Sequence, residues 1–416
     1  MKTIGFIGLG TMGMPMAVNL LKSGYTVYGY NRTAAKREQL KALGALEAAS
    51  PAEAARQADV IFTNVSNDDA LLEVVYGPGG ILEGSRPGLT VIDCSTVSPA
   101  TSRRIAEELK AQQAFFLDAP VTGSKPAAES GTLVFMVGGE EAVYEEHLDL
   151  FEVLGSKCLY MGDSGSGSYA KLAHNTIVGI NAIGLMEGFS IAAKAGLSPE
   201  KFLEIVTAGG ANSRQAELKG NKIIQRDFSN QFSTALMLKD LLLAQKLTAG
   251  FQLPAPLLHA ATSIFQMGLA KGLGDQDLSS VIQCYEDWMK LTITPSVERT
   301  APVDKERRGA NRISLGIKLH LSVYQWEQEG SFSGQNIEGT LHDLSESGLQ
   351  ISSAFPLAQD MFVVIHFPKE ADLPPITGKI IRIDSREGEF RYGCMLSGLP
   401  PYTRIKLEHY IKRHEG

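Results

Sequence analysis

The chain has 416 residues, of which 44% are hydrophobic and 20% are charged, and this composition is that of a soluble globular protein with two or three domains. Its net charge of −7 disfavours general nucleic-acid binding, and its four scattered cysteines indicate neither a disulfide framework nor a metal site. It begins with a strand pattern and has no uncharged apolar run of ~20 residues, so we expect a cytoplasmic protein with no signal peptide and no membrane partner.

The first predicted strand, Thr3–Ile7, runs directly into a glycine motif at residues 8–13, and a helical pattern and a second strand follow. In this context Gly8 suits a tight turn, Gly10 lets a pyrophosphate approach the backbone, and Gly13 lets the helix pack closely on the strand. The amino end of the helix offers N–H groups to the phosphates. This order predicts a Rossmann-type dinucleotide site, and the contacts that we expect are Gly8, Gly10, Thr11, Met12 and Gly13.

The residues after the second strand, Thr26–Tyr30, select the cofactor. Enzymes that use NAD usually place Asp or Glu there to bind the ribose 2′-hydroxyl. This chain has the turn Asn31-Arg32-Thr33, with further cations one turn later. A guanidinium binds a 2′-phosphate through paired hydrogen bonds, whereas a carboxylate repels it. The turn therefore predicts that NADP(H) is preferred over NAD(H); a merely solvated turn is the alternative interpretation.

Four segments differ in their patterning. Residues 1–162 alternate short apolar runs with helical patterns, which indicates an α/β doubly wound parallel sheet. Residues 163–291 predict an all-α domain that forms a homodimer or homotetramer. Residues 292–304 contain two prolines and no periodicity, as in a linker. Residues 305–416 return to short alternating strands and predict a small antiparallel β-barrel.

The all-α segment opens with a long apolar helix, predicted from Ser168 to Ala195, that carries polar residues near its start. Lys171 and Asn175 are four residues apart and so share one face. An ammonium group there can protonate a developing alkoxide when a carbonyl is reduced, and the amine can take the proton back in the reverse direction. The alternative is a surface lysine beside an amide with internal partners. With His174, these residues also disfavour a membrane span.

A loop rich in hydrogen-bond donors follows the strand predicted at Phe115–Ala119. Thr122, Gly123 and Ser124 offer hydroxyl and backbone groups that suit a carboxylate, although an ordinary Pro/Gly turn has the same composition. Loops at the carboxyl ends of parallel strands face the ligand crevice. The segments Asn64–Asn67 and Ser95–Thr96 end two other strands in the same way.

Together with Leu238–Leu241, these motifs occur in order over residues 1–291 and resemble the β-hydroxyacid dehydrogenases, which include 3-hydroxyisobutyrate dehydrogenase and the glyoxylate/succinic semialdehyde reductases. The resemblance implies that Lys171 is the catalytic residue. It implies substrate contacts by Thr122, Gly123, Ser124 and Asn175. It implies cofactor contacts by Val65, Ser66, Thr96 and Lys239. Thr122 and His174 replace the family's usual serine and asparagine, which leaves the substrate open.

The last segment contains a second set of motifs. An RxxxR run, Arg308 to Arg312, is followed about thirty residues later by DxSxxG, which begins at Asp343. Guanidinium groups in one short segment suit a doubly charged phosphate ligand, although such a run is often merely solvated. Both motifs resemble those of a PilZ domain. The resemblance implies cyclic di-GMP binding by Arg307, Arg308, Arg312, Asp343, Ser345 and Gly348.

The sequence thus favours an NADPH-dependent reductase of small carboxylate-bearing aldehydes, or β-hydroxyacid dehydrogenase, with a regulatory domain for cyclic di-GMP. The alternative hypothesis is a cyclic di-GMP receptor that uses a catalytically minor dehydrogenase as an oligomeric scaffold. Retention of Lys171, Asn175 and Thr122 argues against it, because a scaffold has no physical need for them.

Overall fold

The computed structural model describes residues 2–296, 313–326, 332–346, 348–358, 361–386, 389–396, 399 and 401–414. The chain divides into two compact units, residues 1–297 and 298–416. The first contains the predicted sheet and helices, and the second contains the predicted barrel.

The sheet of the first unit combines a parallel part with a mixed edge. Its strands within the described residues are β1 (Thr3–Ile7), β2 (Thr26–Tyr30), β3 (Leu46–Glu47), β4 (Val60–Thr63), β5 (Thr90–Asp93), β6 (Phe115–Asp118), β7 (Val121–Thr122), β8 (Leu133–Gly138) and β9 (Gly155–Gly162). The order is β3-β2-β1-β4-β5-β6-β8-β7, with β9 beside β8. The six neighbouring strands β3-β2-β1-β4-β5-β6 are all parallel, in the order of a dinucleotide-binding sheet. The predicted doubly wound sheet is confirmed; because β8 is antiparallel to β6 and β7, it is mixed rather than parallel at this edge.

Helices pack around this sheet, and several begin at a side-chain cap. They are α1 (Gly13–Lys22), α2 (Ala34–Lys41), α3 (Pro51–Gln57), α4 (Asp68–Tyr76), α5 (Ile81–Gly84), α6 (Pro99–Ala111), α7 (Ser124–Ser130), α8 (Glu141–Glu146) and α9 (Leu148–Leu154). Ser50, Asn67 and Ser98 accept hydrogen bonds from backbone N–H groups in the first turns of α3, α4 and α6. The central strands are buried on both faces, which explains their nearly continuous apolar sequences.

The helical part of the first unit is built on one long central helix. Its elements are α10 (Ser166–Lys194), α11 (Pro199–Ala208), α12 (Arg214–Gln225), α13 (Thr234–Gly250), α14 (Pro256–Ala270), a 3₁₀ turn (Leu278–Val281) and α15 (Ile282–Met289). Helix α10 is long and apolar enough to cross a membrane by length and composition alone. In this fold, α11 to α15 all contact it, and Met186 and Phe189 are buried among them.

The packed part of this unit extends past residue 291, although the linker was predicted to begin at residue 292. Ile293 is buried, and its N–H donates to Glu286 Oε1 at 2.8 Å. Ser296 donates from its N–H to Glu200 Oε1 at 2.7 Å, and the hydrogen bonds from Ser296 and Ser198 lower the pKa of Glu200 to about 2. Residues 292–296 therefore belong to the helical part.

The second unit is the predicted closed antiparallel barrel. Its elements are β10 (Ile313–Trp326), β11 (Phe332–Leu344), β12 (Gly348–Ser353), β13 (Phe362–His366), β14 (Ile376–Arg386), β15 (Glu389–Leu396) and helix α16 (Pro401–His414). The strands close in the order β10-β11-β12-β15-β14-β13. Tyr392 is fully buried, and its hydroxyl donates to Phe355 O and accepts from Leu357 N. Leu407 and Ile411 of α16 complete the core.

Candidate functional site

The glycine turn between β1 and α1 fits a bound pyrophosphate. Gly8 has a φ of 97°, in the left-handed region. A Cβ on Gly13 would lie 2.0 Å from the carbonyl oxygen of Gly8, so α1 approaches β1 this closely only with glycine there. A Cβ on Gly10 would meet nothing within 4 Å, so the space beside this residue is open. Among the described residues, none accepts a hydrogen bond from the N–H groups of Thr11 or Met12, which suits an anion.

In the turn after β2, some polar groups make internal hydrogen bonds and others are exposed to solvent. Asn31 Oδ1 accepts from Leu9 N at 3.0 Å and ties this turn to the glycine turn. Arg37 donates to Asn31 O at 2.6 Å and to Glu47 Oε1 at 3.0 Å, and the second bond lowers the pKa of Glu47. Arg32 and Thr33 are exposed. Arg32 is therefore the guanidinium of this turn that is best placed to receive a phosphate.

A cavity of about 410 Å³ connects the nucleotide-binding sheet with the helical part, and this volume is typical of a small-molecule site. The predicted residues that line it are Thr11, Met12, Val65, Ser66, Thr96, Thr122, Gly123, Ser124, Lys171, Asn175 and Lys239. The predicted residues of the first unit that do not line it are Gly8, Gly10, Gly13, Asn31, Arg32 and Thr33. These six lie in the glycine turn and in the turn after β2.

Lys171, near the start of α10, is the cavity's buried cation. It is 8% exposed, and its Nζ makes no hydrogen bond to a described residue. Burial lowers the pKa of Lys171 to about 8; the negative charge of Asp240 opposes this shift, and the positive charge of Lys239 adds to it. A group with this pKa can both give and take a proton near neutral pH.

A chain of hydrogen bonds and an ion pair joins the helices beside Lys171. Asn175 Nδ2 donates to Asp240 Oδ2 at 2.6 Å, and Asn175 Oδ1 lies 2.9 Å from His174 Nδ1. Lys239 Nζ lies 3.1 Å from Asp240 Oδ1 and donates to Thr96 O at 2.5 Å. Asp240 belongs to the Leu238–Leu241 motif, but no role was predicted for it from the sequence. Here it holds the Asn175 amide and the Lys239 ammonium in place.

Asp118, at the end of β6, anchors the beginning of α10. Its carboxylate is fully buried and accepts from Gly165 N at 2.7 Å and from Ser168 N at 2.8 Å. Burial raises the pKa of Asp118, although these hydrogen bonds oppose the shift. Because Lys171 follows Ser168 within one turn, Asp118 fixes the position of Lys171 relative to the sheet.

The Thr122 loop forms another side of the cavity. Thr122 ends β7, and Gly123 and Ser124 have positive φ values of 137° and 60°. A Cβ on Gly123 would lie 2.5 Å from Ala127 Cβ, so this position requires glycine on two grounds. The loop turns sharply, and Thr122 and Ser124 line the same cavity as Lys171.

Sequence reasoning missed one side of the cavity. The unpredicted lining residues from α12 and from the segment before α13 are Arg214, Gln215, Leu218, Asn230, Gln231, Phe232 and Ser233. No motif marks them, because tertiary packing decides which side of α12 faces the cavity. The available signal was a cation in the first turn of a helix capped by Ser213.

In the barrel, the motif residues Asp343, Ser345 and Gly348 lie at the turn from β11 to β12. Ser345 N donates to Gly348 O at 2.8 Å, and Ser345 Oγ accepts from Gly348 N at 3.2 Å. The turn is therefore closed by its own motif residues. The three arginines, Arg307, Arg308 and Arg312, lie outside the described residues.

In the described part of the chain, no group of three or more His, Cys, Asp or Glu side chains is arranged to hold a metal ion.

Three family models match the chain. Residues 3–162 match the NAD binding domain of 6-phosphogluconate dehydrogenase. Residues 165–285 match the NAD-binding domain of NADP-dependent 3-hydroxyisobutyrate dehydrogenase, and residues 306–413 match the PilZ domain.

Curated relatives and solved structures agree with these matches. The 2-(hydroxymethyl)glutarate dehydrogenase of Eubacterium barkeri is 37% identical over 70% of this chain and 97% of its own length. The 2-hydroxy-3-oxopropionate reductase of Escherichia coli is 35% identical over 68% of this chain and 97% of its own length. The structure of Mycobacterium tuberculosis 3-hydroxyisobutyrate dehydrogenase with L-serine is 32% identical, with a TM-score of 0.63 over 68% of this chain and 99% of that chain.

Proposed function

The chain belongs to the β-hydroxyacid dehydrogenases, which are NAD(P)-dependent oxidoreductases that act on CH–OH groups, and it carries a PilZ domain; on this basis we propose that it is an NADPH-dependent reductase of small carboxylate-bearing aldehydes, regulated by cyclic di-GMP. In the reverse direction it oxidises β-hydroxyacids. The observation that carries the reaction is Lys171, a buried cation that no described residue hydrogen-bonds and whose pKa is about 8.

Lys171 handles the proton of the reaction. When bound, the nicotinamide cofactor supplies the hydride to the carbonyl carbon or accepts it in the reverse direction. As charge develops on the substrate oxygen, the Lys171 ammonium donates a proton to it, and the neutral amine takes the proton back during oxidation. The low polarity that lowers the lysine's pKa also makes this transfer easier near neutral pH.

The Thr122 loop and Asn175 hold the substrate. Thr122, Gly123 and Ser124 bind its carboxylate through hydroxyl and backbone donors, which supports substrates that carry an acid group. Asn175 binds the reacting oxygen through the hydrogen-bonding groups of its amide that Asp240 and His174 do not use. Two named relatives act on carboxylate-bearing aldehydes, 2-hydroxy-3-oxopropionate and glyoxylate or succinic semialdehyde.

The glycine turn, with Val65, Ser66, Thr96 and Lys239, binds the cofactor. The preference for NADP(H) rests on Arg32, whose exposed guanidinium stands where an NAD enzyme usually has a carboxylate. A related structure, 26% identical with a TM-score of 0.64, contains NADP+.

The PilZ domain binds cyclic di-GMP in this proposal. Arg308 and Arg312 contact the phosphates and bases, with Arg307 nearby, and the turn formed by Asp343, Ser345 and Gly348 contacts a guanine edge. The hydrogen bonds that close this turn support its use as a rigid recognition element.

The function is tested by measuring NADPH oxidation with a panel that contains glyoxylate, succinic semialdehyde and 2-hydroxy-3-oxopropionate, with and without cyclic di-GMP. Turnover of at least one of them, and little turnover of aldehydes that lack a carboxylate, is expected. No turnover of any acid aldehyde by protein that binds cyclic di-GMP would favour the receptor with a scaffold dehydrogenase.

A further inference from the structure

The part of the cavity formed by α12 has no task in the reaction proposed above. Arg214 and Gln215 are the first two residues of this helix, and both line the cavity with Lys171. Ser213 caps the helix by accepting from Ala216 N at 3.2 Å. The amino end of a helix carries a partial positive charge, so an anion is favoured beside it.

Gln215 is a second, independent polar feature at this place. The residue is 8% exposed, yet its buried amide oxygen has no hydrogen-bond partner among the described residues. Such an orphaned buried atom is costly and uncommon. A glutamine amide can turn over and present either its oxygen or its NH₂ group at the same place, so this position can offer a donor to an anion.

Arg214, whose side chain is 76% exposed, has N–H groups available for the same task. Its Nη1 donates to Glu217 Oε2 at 2.8 Å, and Glu217 is itself held by Asn212 Nδ2 at 3.0 Å. The remaining N–H groups of Arg214 make no hydrogen bond within the described part of the chain. A guanidinium held by one end can bind a carboxylate through two parallel hydrogen bonds at the other.

The charges that line the cavity favour an anionic ligand. Its cations are Lys171, Lys239 and Arg214, and its carboxylate is Asp240. Asp240 pairs with Lys239, and Glu217, which lies outside the lining, pairs with Arg214. One carboxylate of a substrate balances Lys171, and a second carboxylate can accept from the N–H groups of Arg214 that Glu217 leaves free.

We propose that Arg214 and Gln215 bind a second carboxylate, so that the preferred substrates are dicarboxylates. One carboxylate, next to the reacting centre, lies at the Thr122 loop, and the other, on a short flexible arm, lies at the start of α12. This inference rests on the proposed function and specifies its substrate class.

The test compares two alcohols that differ in one group. In 2-(hydroxymethyl)glutarate a terminal carboxylate replaces the terminal methyl group of 2-(hydroxymethyl)pentanoate. Their binding to the full-length protein with NADP+ is measured by calorimetry, and their oxidation by initial rates. The dicarboxylate is expected to bind at least about tenfold more tightly, because charge-assisted hydrogen bonds are among the strong ones. Equal affinity, or tighter binding of the pentanoate, overturns the proposal.

Two variants locate the effect. Arg214→Met and Gln215→Leu keep side-chain bulk and are each expected to reduce the preference for the dicarboxylate severalfold, mainly through KM, while the pentanoate is unaffected. Arg86→Met is the control, because Arg86 is also partly exposed and ion-paired but does not line the cavity. An equal loss for both alcohols in the Arg214 variant contradicts the assignment.

The two proposals fail in different ways. Turnover of monocarboxylates without any preference for dicarboxylates overturns only the second carboxylate site. If no alcohol or acid aldehyde is turned over, the proposed function fails, and the calorimetric comparison still decides whether Arg214 and Gln215 bind a carboxylate.

Discussion

Asn175 Nδ2 donates a 2.6 Å hydrogen bond to Asp240 Oδ2, and this bond joins α10 to α13 beside the buried Lys171. The bond orients the Asn175 amide, which we propose binds the substrate. The charge of Asp240 also raises the pKa of Lys171 against the effect of burial. Asp240 is therefore a positioning residue for both groups, and its two effects are separable by experiment.

Replacing Asp240 with asparagine removes that charge but keeps the shape of the side chain. The pKa of Lys171 is then expected to fall below about 8, because burial and Lys239 act without opposition. Reduction needs the ammonium form, so the pH above which kcat/KM declines moves down in Asp240→Asn. Asp69→Asn, which makes the same charge change on an exposed residue, is the control. An unchanged pH profile would show that Asp240 does not act on Lys171.

Lys171→Met is expected to lower kcat by about 10²–10⁴-fold, the usual contribution of a general acid or base. Binding of NADPH, followed by its fluorescence, is expected to persist. In the native protein, reduction declines as the pH rises through about 8, and oxidation increases over the same range. Lys194→Met alters an exposed lysine at the other end of α10 and serves as the control. Near-normal turnover of Lys171→Met would refute the catalytic assignment.

Arg32→Ala tests the cofactor preference. Loss of a charged hydrogen bond, worth about 1.5–3 kcal/mol, is expected to raise KM for NADPH by about 10–100-fold and to leave KM for NADH nearly unchanged. Arg56→Ala removes an exposed guanidinium from α3 as a control. If both cofactors lose equally, Arg32 does not recognise the 2′-phosphate.

The parts of the site that depend on local backbone chemistry were predictable. Gly8 and Gly13 are required by a turn and a close approach within ten residues of chain, so the motif alone defines them. The same is true of the Ser345–Gly348 turn. The place of Gln215 in the cavity was not predictable, because its amide oxygen is left without a hydrogen-bond partner only by the packing of α12 beside the cavity. The mixed edge of the sheet was missed because β7 has only two residues, too few to show a period.

A buried ion pair stabilises the unpredicted side of the cavity. Lys219 Nζ lies 2.7 Å from Asp277 Oδ2, both side chains are almost fully buried, and Asp277 also accepts from the N–H groups of Gln231 and Phe232. Asp277→Asn leaves Lys219 unpaired and is expected to cost about 3–5 kcal/mol in the free energy of unfolding. Denaturant unfolding measures this, and Asp149→Asn, in an exposed pair with Lys2, is expected to cost less than about 1 kcal/mol.

The pH dependence of stability gives a second readout of the same pair. Burial alone would raise the pKa of Asp277, but Lys219 and the Ser279 hydrogen bonds outweigh it, and the pKa is lowered. A carboxylate with a lowered pKa stabilises the fold above its unfolded pKa, and the contribution is lost as the pH falls through the folded value. The acid-induced loss of stability is therefore expected to be smaller in Asp277→Asn. An unchanged acid dependence would mean that Asp277 is not ionised in the folded protein.

The cyclic di-GMP assignment is tested in the full-length chain with Arg308→Ala combined with Arg312→Ala. Two guanidinium groups that bind a doubly charged ligand each contribute charged hydrogen bonds, so their joint loss is expected to abolish the calorimetric binding signal. Arg404→Ala combined with Arg413→Ala removes the same charge from two exposed positions of α16 and controls for general electrostatics. Ser345→Ala, which opens the turn that Gly348 closes, is expected to weaken binding while the arginines remain. Unchanged affinity in the arginine variant would refute the assignment. Equal weakening by both pairs of arginine substitutions would indicate that cyclic di-GMP is held only by nonspecific charge attraction.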